Sequence, residues 1–305
     1  GIRQWGTYMG GGSDDVANVL YISLSGDIYV GGSTFSLNAF GSAGSYQTSN
    51  GGTADMTLGK FNTSGVRSWS TFYGGPSQEN SYGLTVDAAG DVYLAGFVDN
   101  FAGQCCVASA GAYQTAYGGG NTDGLIVKFN SAGNTRLWGT YYGGTLDDNV
   151  FGLSVLPNGN LLVSGHTLST NAIATAGSYQ PVKSTGQDAF FSEFTTSTGF
   201  RVYGSYYGGN DAEFRGFSAL GTGGVFYVGG YTRSTTAMAS AGSHQTTYAG
   251  SDDGFLASFF DLPPGAALNF DGANDFVSVP ASPALNALGS GFTLEAWVNP
   301  SNVSP

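Results

Sequence analysis

The chain is poor in charge, above all in positive charge. Nine Lys and Arg stand against 21 Asp and Glu, a net charge of −12. Charged residues make up 10% of the chain, against about 25% in an average domain. So few basic side chains cannot neutralise a run of phosphates, which argues against nucleic acid as a partner. Cysteine is also scarce. The two present, Cys105 and Cys106, are neighbours in sequence, so they cannot staple distant parts of a fold; free thiols and a local disulfide both stay open. No uncharged apolar run approaches the roughly 18 residues of a membrane-spanning helix, so no membrane insertion is expected. Two His supply neither a His-rich metal site nor an evident general acid–base pair. A Gly-x-Ser-x-Gly elbow and a phosphate loop are both missing. Helical periodicity fails too, because Gly or Pro interrupts every candidate stretch.

What the chain has in abundance is Gly (51 of 305 residues) and aromatic side chains (14%). The Gly residues follow no three-residue period, which excludes a collagen-like helix. A hydrophobic fraction of 41% is enough to build a core, which excludes general disorder. Few Lys and many Gly, Ser, Thr, Asn and Tyr favour an extracytoplasmic setting.

Internal repetition organises the sequence. Arg3-Gln4-Trp5-Gly6-Thr7-Tyr8-Met9-Gly10-Gly11 returns as Arg67-Ser68-Trp69-Ser70-Thr71-Phe72-Tyr73-Gly74-Gly75, and again at residues 136–144 and 201–209. The anchors Trp5, Trp69, Trp138 and Tyr203 are 64, 69 and 65 residues apart. Each unit carries four short segments. Segment a holds the anchor. Segment b is exemplified by Gly83-Leu84-Thr85-Val86-Asp87, segment c by Asp27-Ile28-Tyr29-Val30-Gly31, and segment d by Asp55-Met56-Thr57-Leu58-Gly59-Lys60-Phe61. All are aromatic or β-branched and bounded by Gly, Asn or Asp, which is a strand pattern. Tight turns join b to c and d to a, so both pairs read as hairpins. The longer a-to-b link predicts sheets ordered b, c, d, a, with b innermost. Gly83, Gly152 and Gly216 agree, since converging inner strands leave little room for Cβ atoms. The fold class is therefore all-β: a β-propeller of four-stranded blades over residues 1–261, with units at about 2–66, 67–135, 136–200 and 201–261. A ring closed by residues 3–9 on the last unit and a chain that continues beyond this piece both account for the unmatched segment at each end.

The pattern Trp-x-Thr-Tyr-x-Gly-Gly, Gly-Leu-x-Val-Asp, Gly-Asp-x-Tyr-Leu-Ala-Gly, Ala-Gly-Ser-Tyr-Gln and Asp-x-x-x-x-Lys-Phe resembles the bacterial SBBP repeat, a seven-bladed β-propeller family. The resemblance implies a large secreted or surface protein, often multidomain, and carries no catalytic residues to transfer. After a linker at 262–266, residues 267–305 (Leu268-Asn269-Phe270-Asp271-Gly272 and Phe292-Thr293-Leu294-Glu295-Ala296-Trp297-Val298) resemble the start of a laminin-G-like, concanavalin-type jelly roll. So short a segment cannot bury both faces of a sandwich, so the chain reads as part of a longer one.

Candidate sites follow from the columns of the repeat. Each long c-to-d connection, about 22 residues in the first unit, carries Tyr46, Tyr113, Tyr179 or His244. These form a candidate ring for a glycan or a surface protein. Recurrence in every unit favours a packing role instead, with the neighbouring Gln satisfying backbone groups. Acidic residues follow each Gly-Gly. Asp14, Asp15, Asp147 and Asp148 are weak Ca²⁺ candidates, against a plain role in turn capping, and no other cofactor is expected. Arg3, Arg67, Arg136 and Arg201 lie two residues before each anchor. With Asp55, Asp123, Asp188 and Asp253 opening the d segments, they predict interstrand ion pairs or Arg–aromatic stacking. His166 and His244 lack a partner constellation. Asp87 is the one charged residue of the b motifs, too little for the paired acids of a polysaccharide-cleaving enzyme. The reading is a non-catalytic secreted or cell-surface scaffold with adhesion as its leading role. Glycan binding through the jelly roll is the first alternative and a polysaccharide-acting enzyme the second.

Overall fold

A computed structural model describes residues 1–100 and 106–260. The chain divides into two units, Gly1–Pro264 and Gly265–Pro305. The linker at 262–266 and the jelly-roll motif at 267–305 lie outside the described residues.

Among the described residues all regular secondary structure is β, in four antiparallel sheets that follow the sequence repeat. The first holds β1 (Asp15–Ile22), β2 (Ile28–Thr34), β3 (Asp55–Phe61) and β4 (Arg67–Tyr73). The second holds β5 (Glu79–Val86), β6 (Val92–Asp99), β7 (Thr122–Phe129) and β8 (Arg136–Tyr142). The third holds β9 (Asp148–Val155), β10 (Leu161–Thr167), β11 (Asp188–Phe194) and β12 (Arg201–Tyr207). The fourth holds β13 (Glu213–Leu220), β14 (Val225–Thr232) and β15 (Asp253–Phe260). Within each sheet the strands are hydrogen-bonded in chain order, so the b, c, d, a order inferred from loop lengths is the one found. The first strand of every sheet contains a bulge, for example between Ser81 and Gly83. Bulges increase local twist and bend the strand.

Adjacent sheets meet through these first strands: β1 against β5, β5 against β9, and β9 against β13. The Gly column makes this approach possible. A Cβ on Gly152 would lie 2.7 Å from the Ser218 backbone nitrogen, and one on Gly216 (φ 59°) 2.1 Å from the Gly165 carbonyl oxygen. Three apolar clusters fill the junctions. Leu58, Tyr73, Leu94 and Phe129 belong to the first. Tyr93, Tyr142, Val163 and Phe194 belong to the second, and Leu162, Phe191, Tyr207 and Val228 to the third. Full burial of one such side chain stabilises by about 1.5–3 kcal/mol, and a sheet with two apolar faces obtains that only from a neighbour on each side.

The structure departs from the sequence reading in two places. Residues 3–9 form no strand, although they carry the full a motif, and the fourth sheet has three strands. In the first three sheets segment a pairs with the d strand immediately before it in sequence, and residues 3–9 have no such partner. They dock on the first sheet instead: the Trp5 indole N–H donates to the Thr63 carbonyl at 2.9 Å and its ring covers Gly65. Trp138, on the second sheet, does the same against the third, donating to Thr196 O at 3.0 Å and covering Gly199. Closure of the last sheet by residues 3–9 is therefore not what is seen. The second departure is that each first strand begins about four residues before its b motif, at Asp15, Glu79, Asp148 and Glu213. The first strands thus carry more charge than the motif alone suggested.

Candidate functional site

The long c-to-d loops turn at Gly44, Gly111, Gly177 and Gly242, all at φ between 73° and 80°, a conformation that favours Gly. The turn aims the following Tyr across the sheet junction. Tyr46 packs on Tyr73 of its own sheet and on Phe129 of the next, with the Arg136 guanidinium 5.6 Å above its ring. Tyr113 repeats the arrangement with Tyr142, Phe194 and Arg201, the last at 5.2 Å. Tyr179 repeats it with Tyr207 and Phe259. The three rings thus sit one per junction, each engaged by the neighbouring sheet. His244, in the fourth loop, is exposed.

The Arg column takes the stacking option. Arg136 and Arg201 lie over aromatic rings and donate to loop carbonyls, Arg136 to Cys106 O (2.8 Å) and Val107 O (3.1 Å). Arg67 donates to Phe40 O at 3.1 Å. The expected ion pairs with the d-strand Asp column are not formed; the ion pairs among the described residues lie elsewhere. Cys106, at φ 75°, is disulfide-bonded, which decides between the two redox alternatives for that residue; Cys105 lies outside the described residues.

The d-strand Asp residues answer to the Gln that follows each Tyr. Gln180 Nε2 donates to Asp188 at 3.0 Å and its Oε1 accepts from Gly208 N at 3.0 Å. Gln47 links Asp55 to Gly74 N, and Gln114 links Asp123 to Gly143 N, in the same way. One amide thus ties loop, d strand and the Gly-Gly turn together. The recurrence of Tyr-Gln beside Asp was visible in the sequence, but the register that joins them was not.

The weak Ca²⁺ candidates do not converge. Asp14 is exposed. Asp147 accepts from Asn121, the backbone N–H at 2.6 Å included. Asp15 and Asp148 open the first strands of different sheets, and each is held by a Thr-x-Ser pair: Thr34 and Ser36, Thr167 and Ser169. Burial pushes Asp148 up to about 6 against those hydrogen bonds. Among the described residues no group of three or more His, Cys, Asp or Glu is arranged to hold a metal ion.

At the other end of the inner strands Lys128 pairs with Asp87 (3.2 Å) and Asp91 (3.0 Å), and Lys60 with Asp27 (3.0 Å). The third sheet reverses the charge and keeps the contact: Glu193 replaces Lys, and Asn158 and Asn160 donate to it. Asp87 is thereby committed to structure. Burial raises its pKa, but the Tyr93 hydroxyl and Lys128 outweigh that and hold it low. His166 is likewise engaged. Its Nδ1 accepts from Arg215 N–H at 3.0 Å, Asn149 lies against Nε2, and burial with Arg215 lowers its pKa to about 4. A depression of about 410 Å³ is lined by residues from the first strand of every sheet, among them Tyr21, Val86, Ser154 and Ser218.

No family model matches the chain, and no curated protein does. Among solved structures, a protein of unknown function from Dyadobacter fermentans DSM 18053 is similar at 10% identity and a TM-score of 0.33, over 74% of this chain and 78% of that one.

Proposed function

We propose that the four sheets are blades of an SBBP-type β-propeller within a larger multidomain chain. It acts as a non-catalytic, secreted or cell-surface scaffold for adhesion. The observation that carries the architecture is the shared depression: residues of β1, β5, β9 and β13 line one concavity, as the innermost strands of blades around an axis do. The scaffold role is supported by how the recurrent side chains are used. Tyr46, Tyr113 and Tyr179, the Gln–Asp pairs and Asp87 all act in packing or structural ion pairs.

The test is adhesion itself. Beads coated with the full chain are expected to be retained on immobilised bacterial or host surface polysaccharide, or on matrix protein, above beads coated with an unrelated acidic protein. Equal retention on every surface overturns the proposal. Turnover of a polysaccharide panel, abolished by Asp87→Ala, would establish an enzyme in its place.

A further inference from the structure

The same two buried carboxylates meet at every sheet junction: an Asp opening the d strand and an acid opening the next first strand. At the third junction both are satisfied. Asp188 accepts from Gln180 and Ser184 through both oxygens, and Glu213 accepts from Thr232, Ser234 and Gly209 N. At the first junction they are not. Asp55 and Glu79 are 0% and 1% exposed, and Asp55 Oδ1 and Glu79 Oε2 have no hydrogen-bond partner.

The second sheet also differs in sequence. Thr34, Thr167 and Thr232 stand opposite the acid in the other three sheets and donate to its Oδ1 or Oε1, while a Gly N–H serves the second oxygen, the counterpart of the orphan Oε2 of Glu79. Opposite Glu79 stands Val98, which has no hydroxyl. Gln47 and Gly51 N serve only the other oxygen of Asp55. Among the described residues no Lys or Arg forms an ion pair with either carboxylate.

The two orphan oxygens point at one place. A Cβ built on Gly74 would lie 2.4 Å from Glu79 Oε2 and 2.5 Å from Asp55 Oδ1, as one on Gly208 would lie 2.5 Å from Glu213 Oε2 and 2.6 Å from Asp188 Oδ1, so at both junctions the two carboxylates face each other across a Gly, and at the first neither facing oxygen has a partner. The Tyr141 hydroxyl is also buried without a partner, and it is near enough for the Glu79 charge to add to burial in raising its pKa. A buried carboxylate oxygen without a partner is destabilising, and two carboxylates facing each other repel as well. A hard cation with all-oxygen ligands at about 2.3–2.6 Å removes both costs.

The geometry points to a divalent cation site for Ca²⁺ at the junction of the first and second sheets, with Asp55 Oδ1 and Glu79 Oε2 as its carboxylate ligands. Main-chain oxygens and water complete the shell, since Ca²⁺ takes six to eight oxygens and tolerates irregular geometry. The site differs from the Asp14, Asp15, Asp147 and Asp148 candidates in residues and in position.

The experiment uses the full chain, stripped with EDTA and titrated with calcium chloride at neutral pH, with calorimetry and thermal melting as readouts. One Ca²⁺ per chain is expected, with saturation by about 1 mM and a higher Tm. Glu79→Gln and Asp55→Asn are expected to weaken binding about tenfold or more. Both variants should leave the circular dichroism spectrum unaltered. Asp188→Asn, at the satisfied third junction, should leave binding unchanged. Wild-type chain that takes up no Ca²⁺ overturns the site, as does uptake indifferent to both Glu79→Gln and Asp55→Asn. An infrared carboxyl band at neutral pH that Glu79→Gln removes, without Ca²⁺ uptake, would show that the pair shares a proton instead.

Discussion

Two Gly residues with similar backbone angles show how local space, more than conformation, sets the cost of a side chain. Gly44 (φ 79°) has nothing within 4 Å of a built Cβ, whereas at Gly216 (φ 59°) the Gly165 carbonyl oxygen lies 2.1 Å away. Gly44→Ala is expected to cost about 1–2 kcal/mol, the left-handed penalty alone. Gly216→Ala adds overpacking of about 1–3 kcal/mol by forcing β13 away from β10. Urea melts of the two variants check the order; equal costs would mean that the inner strands are not tightly apposed. His166 gives a pH effect. Its folded pKa of about 4 lies below the ordinary histidine value of 6.5, so the folded chain favours the neutral ring. Its contribution is fully present above pH 6.5 and lost as pH falls toward 4, about 3 kcal/mol in all. The second and fourth sheets carry Phe97 and Tyr231 in this column. His166→Phe should therefore flatten the stability profile across that window, and an unchanged slope would assign it to other groups.

Among the elements, the anchor Trp distinguishes a strand that belongs to a sheet from a segment that only leans on one. Trp138, on β8, is 5% exposed, while Trp5, on a segment without strand pairing, is 41% exposed. Trp138→Ala is expected to cost about 3–5 kcal/mol. Trp5→Ala should cost much less and show itself as faster proteolysis of residues 1–14, a comparison that melting and limited digestion settle together. The order of strands was legible beforehand because turn residues mark hairpins and the repeat fixes which segments they join. The failure of residues 3–9 to form a strand was not, because a strand needs a partner edge and the motif records only the propensity to pair. The Gln–Asp–Gly linkage and the orphan acids were hidden for a related reason. Their residue types recur in the sequence, but burial and register decide which oxygen is served. The Thr-to-Val change at Val98 carries no meaning until β5 and β6 are laid side by side.

For the molecule as a whole, stability follows position along the array. Strands of the middle sheets are buried almost throughout, as in β7 and β11. Most residues of β1 and β15 are exposed or half-buried, with Leu20 and Ile22 at one end and Leu256 and Phe260 at the other open to solvent. Among the described residues each interior sheet has two neighbouring sheets and each end sheet one, so local opening is cheapest at the ends. Hydrogen exchange should accordingly be slowest in β6, β7, β10 and β11 and fastest in β1 and β15, with the contrast widening under mild denaturant as the end sheets open before the middle. A substitution in the central core, such as Phe190→Leu, should lower protection in both middle sheets, because Phe190 lies in the cluster between them. The same change should leave the already rapid exchange of β1 nearly unaltered. Uniform exchange across all fifteen strands would mean that the sheets open as one unit, and that the junctions between them are worth more than the difference between one neighbour and two.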